Sequence, residues 1–559
     1  MFIPLSLLSF FLVGASARSL FPSAIPVIPP LRVLSRAEHN ASLTSAHPTI
    51  SGITPVTISS DRQTYFAVLQ TGTISFRVAL DTASSDLWIM GSTCSSGSCP
   101  TVPRYPLKYG SPTFEVVNNN QTIFKAGYAD GTVASGFVAK ESIRLANVTL
   151  PSQAFAIVTE TNVTMLDDVS GILGLGFSRL SSISASSNNS APFFHSLAEQ
   201  GALDYPLFGL SLTNDQSGSL SLGAIDGAIV TNVSQIGWNK VVEFSPIGSQ
   251  SNVSSYLHWV TVCFMLLFSI LVNGTRISPI PTYPKVTGNS LALFDIGFSG
   301  IFGPYQDVER LFDQIDGSRL VSEGQWAIPC DTVVPLSFTF GQQTYTVEPT
   351  DYLIGPASGN PKICLTWPQA RPPSADGIDW QFGGAFLRTV YSIFSYGINA
   401  KEPPLIGFYP LNNATEKINS TAVAEFLSSQ SATVATTLPN SLLPTPSFAT
   451  PSYGFNSSIK APTGELVSSN LATSTYSAIF GTKVGNATSI PLITPAPTVT
   501  TIIMTNAEGV VTTSTSTLPQ PSVMLGLPGS NAVVTHPAPL IFTTLCLALS
   551  LISMDFILL

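Results

Sequence analysis

Charge is scarce in this chain: Asp, Glu, Lys and Arg make up 10% of its 559 residues, and the formal balance is −9. So little charge excludes a charge-driven disordered protein, and the lack of any basic cluster able to track phosphates excludes a nucleic-acid binder. Five histidines and six cysteines fall into no metal-ligand spacing, so neither a metal nor another cofactor is expected. Helical periodicity is also rare, with 194–200 and 308–315 as the candidates. Residues 65–222 instead show short alternating apolar runs broken by Gly, Asn and Ser, the pattern of a strand-rich fold.

The two ends differ from the middle. Residues 1–17 carry an apolar core, 7–13, and end in Ala15-Ser16-Ala17 without the usual basic lead, which predicts a signal peptide. The Pro- and Ser-rich stretch 18–60 is expected to be a pro-segment running into an incoming strand. Twelve Asn-x-Ser/Thr sequons, Asn40, Asn120, Asn147, Asn162, Asn232, Asn273 and Asn413 among them, accord with passage through a secretory lumen. Beyond 412, Ser, Thr, Pro, Ala and Asn dominate, so 413–530 is expected to stand as a disordered stalk that cannot bury enough apolar area to offset its ordering. The run 540–559 is almost wholly apolar and follows Gly529, Ser530, Asn531 and Ala532. Without a basic cytoplasmic flank, and with Asp555 inside it, this predicts a GPI-attachment signal over 531–559 with Ser530 as the anchor residue, rather than a membrane-spanning tail.

One chemical device occurs twice. Val78-Ala79-Leu80-Asp81-Thr82-Ala83-Ser84-Ser85-Asp86-Leu87-Trp88 is an apolar strand ending in a carboxylate, then small hydroxylated residues, then a second apolar run. Ser290-Leu291-Ala292-Leu293-Phe294-Asp295-Ile296-Gly297-Phe298-Ser299-Gly300 repeats it. Each copy is followed, at similar distance, by a pair of residues and a glycine: Ile172-Leu173-Gly174 and Gln381-Phe382-Gly383. Two copies of one plan imply two lobes, 61–230 and 231–412, each bringing one acid to a shared cleft.

In these motifs the chain resembles the pepsin-like aspartic proteases, and with its tail the GPI-anchored, fungal yapsin-like type, over roughly 65–411. The resemblance implies an all-β, bilobal fold with pseudo-twofold lobes and an active-site cleft between them. It implies an endopeptidase working at acid pH, with Asp81 and Asp295 sharing one proton because two carboxylates so close cannot both ionise. Thr82 and Ser84 would support that dyad. Tyr128-Ala129-Asp130-Gly131-Thr132 resembles the flap that closes over substrate, with Tyr128 reaching toward Trp88. Disulfides Cys94–Cys99 and Cys330–Cys364 follow from the same resemblance, leaving Cys263 and Cys546 alone. The implied partners are peptide or protein substrates, with no nucleic acid, a membrane touched only through a GPI lipid, and a monomer at the outer face of the plasma membrane or in the wall.

Three departures from that pattern stand out. Ala83 replaces the first motif's glycine, Ile296 replaces the threonine whose hydroxyl ties the two loops in relatives, and Phe298 replaces the Ser/Thr that would bond Asp295. The last two support an alternative reading, a catalytically impaired protease-fold binding or cell-wall protein, whereas Ser84 keeps the hydroxyl that would bond Asp81 beside Ala83. Separately, the apolar stretch 259–272 is shorter than a span of ~20 residues and is expected to be a buried strand. The glycines of 171–176 lack the spacing of a phosphate-cradling loop.

Overall fold

The computed structural model describes residues 50–187, 190–214, 218–242, 259–263, 269–284, 289–398, 401–412, 418–430, 433–452, 476–480, 489–495, 499–505, 511–517 and 523–528. The signal peptide, residues 18–49, Ser530, the segment 531–559 and Cys546 lie outside them.

Both aspartate motifs rest on the same arrangement of strands. Ile74–Asp81 runs parallel to Val169–Gly174, with Leu80 opposite Leu173 and Asp81 opposite Gly174, and Val169–Gly174 pairs antiparallel with Leu87–Met90. In the second half Ser290–Phe294 runs parallel to Trp380–Phe382, with Phe294 opposite Phe382, and Trp380–Phe382 pairs antiparallel with Ile301–Pro304. A strand in such a parallel pair is covered on both faces, so it reads as an unbroken apolar run rather than an alternation. Every residue of Val169–Gly174 and of Ser290–Phe294 is accordingly buried.

The halves are joined where Leu207–Ser211 pairs antiparallel with Val390–Ser395. Gly218–Leu222 and Gly52–Ile58 extend the sheet on one side of that join, Leu405–Pro410 and Gly237–Lys240 on the other. Gly52–Ile58 is thus the incoming strand at the end of the expected pro-segment. An aromatic core lies against this sheet, with Phe208 stacked on Phe394 at 4.8 Å and Trp259 packed on Phe177 at 4.4 Å. Trp259 Nε1 and the Tyr396 hydroxyl both donate to the Leu175 carbonyl, at 3.0 and 2.6 Å, while the Leu175 amide donates to the Asp81 carbonyl at 2.7 Å. Two residues of the second half therefore brace the first aspartate from behind.

The architecture is the all-β, bilobal one, mostly strand with few short helices. The expected helices occur as Phe193–Glu199 and Tyr305–Phe312, the latter burying Tyr305, Val308, Leu311 and Phe312 along one stripe. Both disulfides form, Cys94–Cys99 and Cys330–Cys364, with Cα separations of 5.7 and 5.0 Å. The described residues of 259–272 include two strands: Val260–Cys263 pairs with Ser290–Phe294, whereas Ile270–Val272 pairs with Leu336–Phe340 in another sheet.

The described pieces of 413–530 depart from a uniformly unfolded stalk. Ser420–Gln430 is a helix that buries Val423, and Val434 bridges to Ala357. Tyr476, Ile479 and Phe480 sink into an apolar cluster with Tyr205, Ile393 and Leu405, and Leu492–Ile493 runs parallel to Ile225–Asp226. The reason is that these scattered apolar residues find a partner surface on the two-lobed body, which composition averaged over the whole segment conceals.

Candidate active site

Asp81 closes its strand, and the turn after it supplies its donors. The Ala83 amide donates to Oδ1 at 2.8 Å and the Ser84 hydroxyl to Oδ2. Asp295 receives the matching amide, Gly297 N to Oδ1 at 2.8 Å, but its Oδ2 is held by the side-chain amide of Gln381 at 2.7 Å. A Cβ added to Gly297 would lie 2.7 Å from Asp81 Oδ1 and 3.1 Å from Asp295 Oδ1, so both inner oxygens converge on one point and leave room only for glycine there.

Thr82, fully buried, ties the loops together: its hydroxyl donates to the Phe294 carbonyl and accepts from the Ile296 amide, both at 3.0 Å. The reciprocal hydroxyl is missing because Ile296 carries none, and its side chain is buried in the core instead. Phe298 stacks on Phe302 at 4.1 Å and meets Trp367 edge-on at 5.5 Å, while the Arg371 guanidinium sits 3.5 Å above the Phe302 ring.

Across the cleft, Ile123–Gly127 and Val133–Leu145 form a hairpin whose tip is Tyr128 to Thr132. Gly131 takes φ +84 there, and Asp130 Oδ1 accepts from the Thr132 amide and hydroxyl, which sets the turn. Trp88 Nε1 donates to the Tyr128 hydroxyl at 2.7 Å. The cleft so enclosed is about 1000 Å³ and is lined by Asp81, Asp295, Tyr128, Ile172, Phe298 and Gln381 among others.

Burial governs the electrostatics. It raises Asp81 above the ordinary carboxylate range against the donors Ser84 and Ala83. Burial first, and then the charge of Asp81, push Asp295 up to about 8. One proton shared between two desolvated acids relieves both costs at once.

Residues 64–401 match the family model for eukaryotic aspartyl proteases. The chain belongs to that family. It is 30% identical over 370 residues to an aspartic protease of Phaffia rhodozyma, covering 64% of this chain and 80% of that one. Vacuolar protease A of Neurospora crassa is 29% identical over 357 residues, 62% of this chain and 80% of its own, and mouse cathepsin E is 26% identical over 348 residues, 60% and 78% respectively.

As a member of that family the chain brings together Asp81, Asp295, Thr82 and Ser84, with Tyr128, Asp130, Gly131 and Thr132 at the hairpin tip across the cleft and buried Trp88, on the strand after the Asp81 turn, holding the Tyr128 hydroxyl. Sequence reasoning left Gln381 without a role. Its signal was there: a polar residue opens Gln381-Phe382-Gly383 where the matching segment has Ile172. Two further acids, buried Asp86 and half-buried Asp379, also escaped notice. Asp86 accepts from the Ser181 and Ser182 hydroxyls and the Ser182 amide, and Asp379 from Thr282, Ser290 and the Leu291 amide. Their lone pairs are spent on the walls of the cleft, which makes them framework for the loops beside them.

Proposed function

We propose that the chain is an aspartic endopeptidase hydrolysing peptide bonds at acid pH. The observation that carries this reading is the convergence of two carboxyls, Asp81 and Asp295, on one point beneath a hairpin tip. With one proton between them, the ionised member draws a proton from the attacking water while the neutral member donates to the carbonyl oxygen; the two act as one titrating unit. Thr82 and Ser84 hold the geometry, and Tyr128 with Asp130, Gly131 and Thr132 closes over the extended peptide. No cofactor enters this chemistry. The impaired-protein alternative rests on Ile296 and Phe298; the donor that Gln381 supplies to Asp295 favours the enzyme.

The same reading extends to location: a monomer secreted through its signal peptide and held at the outer face of the plasma membrane or in the wall by a GPI lipid on Ser530. Among the described residues no helix is long and apolar enough to cross a membrane. Cleavage of an unfolded protein substrate at acid pH, blocked by pepstatin, tests the activity. Release of the protein from membranes by a phosphatidylinositol-specific phospholipase tests the anchor; retention of 540–559 in the mature chain rules it out.

A further inference from the structure

The outer oxygens of the two carboxyls are held by different chemical groups. At Asp81 the donor is a hydroxyl from the same turn, Ser84. The position that matches Ser84 in the second loop is Phe298, which carries no donor and whose ring packs on Phe302 and Trp367. Asp295 Oδ2 nevertheless has a donor at 2.7 Å, from Gln381 on the adjacent strand. Gln381 reaches it because Trp380–Phe382 runs parallel to Ser290–Phe294 with Gln381 opposite Leu293, and the Asp295 amide bonds to the Phe382 carbonyl. The matching residue of the first lobe, Ile172, has no group that could do this.

We propose that Gln381 is a positioning residue that replaces, from the neighbouring strand, the hydroxyl absent at Phe298, and so keeps Asp295 in dyad geometry. This inference rests on the dyad reading above and adds to it a change of chemistry. A serine hydroxyl can donate to a carboxylate or accept from a carboxylic acid, whereas the carboxamide N–H only donates. It therefore favours an unprotonated Oδ2 and leaves the proton of Asp295 to Oδ1, the oxygen that converges with Asp81. The substitution also frees the motif position for Phe298, whose ring widens the apolar wall of the cleft.

The test compares the parent with Gln381→Leu, Phe298→Ser and the double variant, following kcat and KM together with the Asp295 titration. The titration is read by carbon NMR of protein labelled at its aspartate carboxyls, with Asp295→Asn for assignment. Leucine suits the strand, since an aliphatic residue fills the matching place at Ile172. Loss of an N–H that stabilises the carboxylate raises Asp295, so Gln381→Leu is expected to move its titration up by about one pH unit. The same change should lower kcat about tenfold with KM little altered. Phe298→Ser placed on Gln381→Leu should recover both, because the hydroxyl returns to its usual place. A Gln381→Leu protein with parental kcat and a parental Asp295 titration overturns the proposal. Should the parent itself lack turnover, the dyad reading fails, while the NMR shift still decides whether Gln381 holds Asp295.

Discussion

At the first loop, both oxygens of Asp81 are held from inside the turn, by the amide of Ala83 and the hydroxyl of Ser84. At the second, the turn supplies only the Gly297 amide, and the other donor arrives from Gln381, 86 residues along the chain. The link between the loops is just as uneven. Thr82 makes two bonds across it through its hydroxyl, while Ile296 offers only its backbone. A dyad is thus defined by where donors point rather than by which motif position carries them. The cost of the second arrangement is dependence on sheet register: a hydroxyl travels with its own turn, but a strand-borne amide reaches Asp295 only while Leu293 stays opposite Gln381.

The comparison breaks most completely if either acid is removed. Asp81→Asn and Asp295→Asn should each lower kcat by on the order of 10⁴-fold while leaving the fold intact, because an amide cannot share the proton. Circular dichroism with turnover assays checks this, and parental turnover in either variant refutes the dyad. Next in size is Thr82→Val, which strips the side-chain hydroxyl that links the first loop to Phe294 and Ile296 of the second. It leaves the buried Ile296 amide without its acceptor and the Phe294 carbonyl without its donor, at a cost of about 2–4 kcal/mol in denaturant unfolding. Ser84→Ala, which touches only one lobe, should cost less than half of that.

A third expectation concerns pH. Asp81 and Asp295 are raised by burial, as are Asp86, Asp351 and Asp379, and Asp307 is pushed up to about 7. Each binds its proton more tightly in the folded chain than in the unfolded one. Their contribution to stability is therefore full below the ordinary carboxylate value of ~4 and declines as pH rises through the folded values. Tm should fall between about pH 4 and pH 8, and either Asn variant of the dyad should flatten that slope by removing the like-charge pair. A Tm that rises over the same interval contradicts the burial argument. Smallest is Tyr128→Phe. Buried Trp88 then loses the acceptor for its indole N–H, and kcat/KM should fall about tenfold with little change in Tm, since the hairpin tip is peripheral to the core.

Much of this was legible in local sequence. The repeated strand-then-acid pattern located both carboxyls, the Tyr-x-Asp-Gly-Thr turn located the hairpin, and apolar runs marked the strands that cross behind the loops. What sequence hid was set by pairing between distant segments. Nothing near Asp295 announces Gln381, because their contact exists only through the parallel register of two strands. The same holds for 259–272, whose mostly apolar run conceals a change of sheet between its described ends, and for Tyr476 and Phe480, which look like tail residues until Glu402 accepts the Phe480 amide and Tyr205 packs near both rings. Composition reported a stalk; individual side chains found a surface.

A dyad of Asp81 and Asp295 would keep a proton on its second member well above the ordinary carboxylate range. Its most direct test is the pH dependence of kcat/KM for the purified mature protein on an unfolded protein substrate, with and without pepstatin. Burial and the charge of Asp81 hold Asp295 up to about 8, so the predicted profile is a pepstatin-sensitive bell whose alkaline limb carries from acid pH toward neutrality. Correctly folded protein that cleaves nothing at any acid pH would contradict it.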